Sequence, residues 1–293
     1  MSKIVCFGEV LWDVFPTHKK IGGAPLNVAV RLKSFNNDVA MISAVGNDVL
    51  GKTILKYIND LKINTEAVEV LEEFTTGEVA VSLNEKGAAT YKIVHPKAWD
   101  KIPFTAKSSE LVKQADAFVF GSLITRDDVS KNTLYQLLEL AKYAVFDVNL
   151  RAPFYNNEIL IDLMCKADFI KFNDDELYEI SAFLGSPFHN LEQNIHFIAE
   201  KTKTAHICVT KGEHGAVLLY NHQLYYNSGY QIKVKDTVGS GDSFLASLIS
   251  KLINGASPQK AIDFACAVGA LVAEKEGANP IITEKEILDF SRV

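Results

Sequence analysis

Four cysteines, eight prolines and no apolar run of 18 residues mark what this 293-residue sequence lacks, and each shortage excludes a class of protein. Cys6, Cys165, Cys208 and Cys266 stand far apart, with no CxxC pair and no metal-ligand spacing to the seven histidines, so neither a disulfide scaffold nor a zinc site is indicated. In mostly apolar surroundings they read as buried thiols in a reducing compartment. Without a long apolar run there is no spanning helix to place, and Glu9 and Asp13 interrupt the first apolar stretch, which therefore lacks a signal-peptide core. A cytoplasmic chain with no membrane partner is expected. Basic excess is missing too: 30 Lys+Arg stand against 36 Asp+Glu, a net charge of -6, so no broad polyanion surface and no nucleic-acid partner are expected. The low proline count, 48% hydrophobic content and absence of internal repeats exclude disordered, collagenous and low-complexity chains.

What is present is a rhythm. Short β-branched and aromatic runs at Lys3–Phe7, Ala40–Val45, Ala117–Phe120, Tyr143–Val148, Phe169–Phe172 and Ala205–Thr210 alternate with amphipathic stretches near Leu26–Phe35, Val49–Leu61, Val129–Lys142, Asp174–Leu184 and Leu191–Lys201. That alternation predicts an α/β fold with a mostly parallel sheet, its middle strands buried on both faces. Two stretches break it, Trp12–Lys20 and Thr75–Val94, the second alternating around Asn84-Glu85-Lys86-Gly87 as a hairpin would. They predict a small accessory sheet. Strands Ala216–Tyr220 and Gln223–Tyr226 and helices Gly241–Ile253 and Pro258–Glu274 complete the expected order.

Gly46-Asn47-Asp48-Val49-Leu50-Gly51-Lys52-Thr53 satisfies the P-loop pattern GxxxxGK[ST]. The physics opposes it, because the Asp48 carboxylate would lie among phosphate oxygens. Asp48 reads better as an N-cap, which puts Gly51, Lys52 and Thr53 in the first turns of a helix where they cannot form a cradle.

Near the C-terminus, Asp236-Thr237-Val238-Gly239-Ser240-Gly241-Asp242-Ser243-Phe244 opens a helix with Phe244, Leu248 and Leu252 on one face. Gly239 and Gly241 let the backbone turn tightly and present amides, with Ser240, to an anion at a helix N-terminus. A carboxylate beside an anion site is unfavourable unless it has a task, and for Asp242 the fitting task is to accept a proton from an alcohol attacking phosphorus. Alone, the segment reads equally as a set of caps and a turn.

The segments Gly22-Gly23-Ala24-Pro25-Leu26-Asn27-Val28-Ala29, Ala44–Gly51 and Asp236–Phe244 together resemble the signature regions of the ribokinase-like (PfkB) carbohydrate kinases, over nearly the whole chain. Gly8–Pro16 and Asp147-Val148-Asn149-Leu150-Arg151 resemble the fructokinases among them. The resemblance implies a single doubly wound domain over residues 1–293 with a β-lid from about 12–20 and 75–100, sugar between the two, and ATP along the carboxyl edge of the sheet. It assigns sugar contacts to Asp13, Gly22, Gly23, Asn27, Arg151 and Asp242, and nucleotide contacts to Lys211, Gly212, Gly239, Gly241, Gly277 and Asn279. Asn173 and Glu176 match the family's NxxE element, tied there to the water shell of Mg²⁺, although the same residues make a sound capping box. Asp236 and Val238 are implied to enclose a monovalent cation such as K⁺. Ser240 stands where the family often has alanine.

The expected activity is transfer of the ATP γ-phosphoryl group to a sugar primary hydroxyl, with D-fructose as the acceptor and fructose 6-phosphate as product. Ribose, 2-keto-3-deoxygluconate or a nucleoside are alternative acceptors, and a P-loop NTPase or a non-catalytic sugar-binding regulator are competing readings. A homodimer formed through the lid is expected, since a lid sheet offers an edge or face for a second subunit.

Overall fold

The computed structural model describes residues 1–83 and 89–291. The expected turn at Asn84–Gly87 lies outside the described residues. Among the described residues the strands are β1 (Lys3–Phe7), β2 (Leu11–Val14), β3 (Lys19–Gly22), β4 (Asp38–Gly46), β5 (Asn64–Leu71), β6 (Gly77–Leu83), β7 (Ala89–Ile93), β8 (Ala117–Gly121), β9 (Ala144–Asp147), β10 (Phe169–Asn173), β11 (His206–Thr210), β12 (Ala216–Tyr220) and β13 (Gln223–Asn227). The helices are α1 (Ala24–Ser34), α2 (Val49–Asp60), α3 (Ala106–Gln114), α4 (Asp128–Leu138), α5 (Asn157–Lys166), α6 (Asp174–Phe183), α7 (Leu191–Thr202), α8 (Ser240–Ile253), α9 (Pro258–Ala273) and α10 (Glu284–Phe290).

The large sheet runs β13-β12-β11-β10-β9-β8-β1-β4-β5. Its pairs are parallel from β5 to β11, and β12 and β13 add on antiparallel. Strand period two decides which face each side chain serves. Ile4 and Cys6 of β1 join one core cluster with residues of α1, α2, α8 and α9, while Val5 and Phe7 join the opposite cluster with residues of α3 to α7. The sheet is therefore doubly wound and buried on both faces, as the near-continuous apolar strands require. Phe120 and Phe146, on adjacent strands, stack at 5.1 Å between ring centroids in the second cluster.

β5, α3 and α5 go beyond what the sequence pattern indicated. β5 carries Glu66 and Glu69 and lies at the sheet's edge, where one-sided burial weakens the apolar signal. Cys165 departs from expectation as well: it is exposed on α5, whereas Cys6, Cys208 and Cys266 are buried.

The stretches that break the rhythm form the separate sheet β3-β2-β6-β7, with β2 parallel to β6. Its footing is packed tightly. The Arg126 guanidinium lies 3.9 Å from the Trp99 ring centroid, donates to both Asp100 carboxylate oxygens at 2.7 and 2.8 Å, and donates to the Val94 carbonyl just past β7. Trp99 in turn lies against Gly77 at the start of β6, where a Cβ would approach its ring to 2.6 Å.

Candidate active site

The carboxyl ends of β1, β4, β8, β9 and β10 share one edge, and the chain leaves β1 between β8 and β4, so a switch point opens there. Gly8, Glu9 and Val10 follow β1 into the small sheet, and Gly22-Gly23 returns from it into α1. Gly23 caps α1 at φ 112°, and a Cβ there would overlap the Glu9 carbonyl. A Cβ on Gly22 would overlap the Asp13 carboxylate, so that glycine gives Asp13 its place against the backbone.

α8 packs on α1 and starts at Gly239, whose φ of 75° and 2.6 Å approach of a hypothetical Cβ to the Ala278 Cα leave room for glycine alone. The Ser240 amide donates to the Thr237 carbonyl at 3.2 Å and its hydroxyl to the Gly269 carbonyl at 2.9 Å. The Ser240 amide is therefore already engaged, which corrects the expectation that it joins the cradle. Among the described residues the Gly241 and Asp242 amides make no hydrogen bond. They point from a helix N-terminus, where an anion is favoured.

Asp242 lies beside them. Its Oδ2 accepts from Asn27 Nδ2 at 2.9 Å, and Asn27 Oδ1 accepts from Asn279 Nδ2 at 2.8 Å. Burial raises the Asp242 carboxyl to about 6, the Asp147 charge adds to the rise, and the Asn27 bond with the Lys171 and Arg151 charges oppose it. Asp13 is likewise raised to about 6 by burial against the pull of Arg151. Glu9, raised to about 7 by burial, keeps Oε2 buried without a partner among the described residues. Arg151 itself is exposed, with one guanidinium nitrogen on the Leu150 carbonyl, and its charge acts on Glu9, Asp13 and Asp242 alike.

The NxxE element forms the capping box. Asn173 Oδ1 accepts from the Glu176 amide, and Glu176 Oε2 from the Asn173 amide, both at 2.8 Å. Glu176 Oε1 accepts from the Leu150 amide at 2.9 Å, so this carboxylate also holds the loop that carries Arg151. Asp236 accepts from the Val238 amide at 3.0 Å and the Gly277 amide at 2.9 Å, which ties the entry to α8 to the loop after α9. A cavity of about 370 Å³ opens between Asp13, Lys20 and Ile21 on the small sheet and Asp236, Gly277 and Asn279 opposite, bridged by Lys20 and Glu276 at 3.3 Å. Lys211 and Gly212 lie in the turn after β11, beyond this network but on the same sheet edge.

The P-loop reading fails on geometry. Asp48 caps α2, accepting from the Gly51 amide at 2.7 Å and from the Thr76 hydroxyl and amide at 2.7 and 2.9 Å, so a carboxylate occupies the place a phosphate would need.

The pfkB family carbohydrate kinase profile matches residues 1–285. The chain belongs to the pfkB family of carbohydrate kinases. As a pfkB kinase it is a phosphotransferase acting on a sugar hydroxyl. An Arabidopsis thaliana protein named "Probable fructokinase-6, chloroplastic" is 28% identical over 312 residues, covering 97% of this kinase and 80% of that protein. A fructokinase double mutant from Vibrio cholerae, solved with fructose, ADP and potassium ion, superposes at a TM-score of 0.84 with 23% identity over 99% of this kinase and 98% of that chain. Aminoimidazole riboside kinase from Salmonella enterica, complexed with aminoimidazole riboside and an ATP analogue, superposes at 0.82 with 21% identity over 98% and 99% of the two chains. At such identities the superpositions establish the kinase's fold.

Three charged groups of the site escaped sequence reasoning: Glu9, Asp147 and Lys171. Each had a signal, a charge in or just past a largely apolar strand: Glu9 beyond the carboxyl end of β1, Asp147 at the end of β9 and Lys171 in the middle of β10. Lys171 Nζ pairs with Asp147 Oδ1 at 3.1 Å, both buried, across in-register neighbours on β9 and β10.

Proposed function

We propose that this kinase transfers the γ-phosphoryl group of ATP to the 6-hydroxyl of D-fructose, with Asp242 as the general base. The observation that carries this reading is the placement of one carboxylate, raised to about 6, beside two open amides at the start of α8. A base with that affinity is ionised at pH 7 yet still takes a proton readily. As the sugar oxygen attacks phosphorus, its proton passes to Asp242, and the Gly241 and Asp242 amides bond the oxygens that gain charge. Asp13, Gly22, Gly23, Asn27 and Arg151 are the proposed sugar contacts. A carboxylate, an amide and a guanidinium around a bare backbone suit a polyol. Lys211, Gly212, Gly239, Gly277 and Asn279 are proposed for the nucleotide side.

Mg²⁺ supplies charge to the phosphate oxygens when bound. Glu176 fits that neighbourhood, since two amides leave its carboxylate with lone pairs for metal-bound waters, and Asn173 stands beside it. The Asp236 and Val238 carbonyls accept no hydrogen bond among the described residues, which suits them to K⁺. Residues 1–293 are read as one domain, the small sheet acting as a lid that closes over sugar and excludes water, and offering the surface for a homodimer. Among the described residues no helix is long and apolar enough to cross a membrane, and a cytoplasmic location remains part of the proposal.

ADP release with Mg²⁺-ATP over fructose, ribose, glucose, 2-keto-3-deoxygluconate and adenosine tests this, on wild type and Asp242→Asn. Fructose-dependent turnover that falls by about 10²–10⁴-fold in the variant is expected. Turnover with another acceptor would replace the substrate and keep the base, and sugar-independent hydrolysis surviving Asp242→Asn would overturn the reading.

A further inference from the structure

The buried pair under the start of α8 is unexplained by sugar or nucleotide contact. Lys171 and Asp147 are 6% and 4% exposed, and burying two charges is unfavourable unless something depends on them. The pair is also unbalanced. Asp147 Oδ1 has the ammonium, but Asp147 Oδ2 is buried with no partner among the described residues. The ammonium looks past Asp147 toward α8: a Cβ built on Gly241 would lie 3.5 Å from Lys171 Nζ, and the residue after Gly241 is Asp242.

We propose that Lys171, held in place by Asp147, is a positioning residue that keeps the Asp242 carboxylate in its proton-accepting form. This rests on the reading of Asp242 as the base. The register explains why the pair is there. Lys171 and Asp147 are directly opposite on parallel strands β10 and β9, with Asp147 the last residue of β9 and Lys171 the middle residue of β10, so the ammonium is fixed in depth by two backbones. The Val148 amide adds a bond to the Lys171 carbonyl at 3.0 Å. Gly241 completes the arrangement by leaving nothing between the ammonium and the cradle.

The other charges facing Asp242 do not replace it. From the segment after β1 comes Glu9, an acid whose carboxyl is itself pushed up by the Asp242 charge and which supplies no cation. From the loop after β9 comes Arg151, whose guanidinium is exposed and screened. From α1 come Asn27, a neutral donor, and Arg31, whose guanidinium is engaged with the Ser243 hydroxyl and the Pro280 carbonyl. From α6 comes Glu176, whose carboxylate faces Lys171 rather than Asp242. Lys171 is thus the buried cation set among Asp147, Glu176 and Asp242, and it acts on Asp242 in the same direction as Asn27.

The pair makes opposite predictions for its two members, which a packing role does not. Aspartate carboxyl carbons labelled with carbon-13 are titrated by NMR in the full chain, with the Asp242 signal assigned by its loss in Asp242→Asn. Lys171→Met is expected to raise the Asp242 midpoint by about one pH unit, Asp147→Asn to lower it by about one, and the double variant to restore it to within about 0.3. The acid limb of kcat/KM should follow, with Lys171→Met about fivefold slower at pH 6. Should Lys171→Met not fold, Asp147→Asn and the double variant still give one lowered and one restored midpoint. Midpoints that stay put, or that move the same way in both single variants, overturn the proposal. Because the titration needs no substrate, a wild type that phosphorylates no sugar would sink the proposed function while the NMR midpoints still decide the role of the pair.

Discussion

Asn27 and Asp242, 215 residues apart in the chain, meet through a 2.9 Å bond from the asparagine Nδ2 to the carboxylate Oδ2. The bond occupies one oxygen and fixes the ring of contacts around it, so the remaining oxygen, Oδ1, is the one free to take a proton. Asn279 holds Asn27 in turn, which makes the placement of the Asp242 carboxylate, the proposed base, depend on α1, α8 and the loop after α9 together. Their packing is what the paired sequence segments encode.

A carboxylate held in this way opposes folding when it is charged. Burial raises Asp242 from its ordinary value of 3.8 to about 6, so the folded chain holds that proton more tightly than the unfolded one. The resulting stability is fully present below pH about 4 and is lost as the pH rises through about 6. With solvent on the open side of the carboxylate, the loss amounts to ~1–2 kcal/mol. Asp242→Asn is expected to unfold a few degrees higher than wild type at pH 8 and at the same temperature at pH 4, as followed by calorimetry. An equal or lower melting temperature at pH 8 would contradict the buried-charge account.

The contrast between Asp242 and Lys171 shows what a sequence can and cannot disclose. Asp242, Gly239 and Asn27 stand in contiguous segments whose local chemistry, glycines at a helix start and an amide one turn into a helix, is readable along the chain. Lys171 and Asp147 meet because β9 lies beside β10 in a particular register, a relation between strands separated by α5 that no local pattern carries. The small sheet divides in the same way. Alternation marked its hairpin, but the parallel pairing of β2 with β6 joins segments more than 60 residues apart. Cys165 was misplaced because an apolar neighbourhood in sequence, Ile159 to Met164, winds into a helix whose outer face it occupies.

Lys52 and Asp48 separate the decoy motif from its real work. Burial works to raise the Asp48 carboxyl, but bonds from the Thr76 and Gly51 amides and the Thr76 hydroxyl outweigh it and hold the group below its ordinary value. Those bonds tie the end of β4 and the start of α2 to the residue before β6, because Thr76 Oγ1 also accepts from the Gly46 amide at 3.0 Å. Asp48→Ala is expected to destabilise the chain by ~1–3 kcal/mol in denaturant unfolding, through a lost cap and an unpaired Thr76 amide. Lys52→Ala is expected to leave ADP release unchanged within about twofold, since this side chain is exposed on α2 and outside the site. Abolished turnover in Lys52→Ala would reinstate the P-loop reading.

The two ends of α8 offer a matched test of why glycine stands at its start. Gly239 and Gly255 both have positive φ, 75° and 82°, so alanine at either meets the same backbone strain, ~1 kcal/mol. They differ in surroundings. A Cβ on Gly255 would meet nothing within 4 Å, whereas one on Gly239 would lie 2.6 Å from both the Cα and the carbonyl oxygen of Ala278. Backbone cannot swing aside as a side chain can, so Gly239→Ala must shift either the loop that carries Gly277 and Asn279 or the first turn of α8. Either shift misaligns the Gly241 and Asp242 amides, and displacement of about 1 Å at a site of this kind lowers rates by about 10²-fold. Gly239→Ala is therefore expected to lose about 10²-fold or more in kcat/KM and more stability than Gly255→Ala, which should keep full activity. Equal activity in the two variants would show that the close approach of Ala278 does not set the geometry of the cradle.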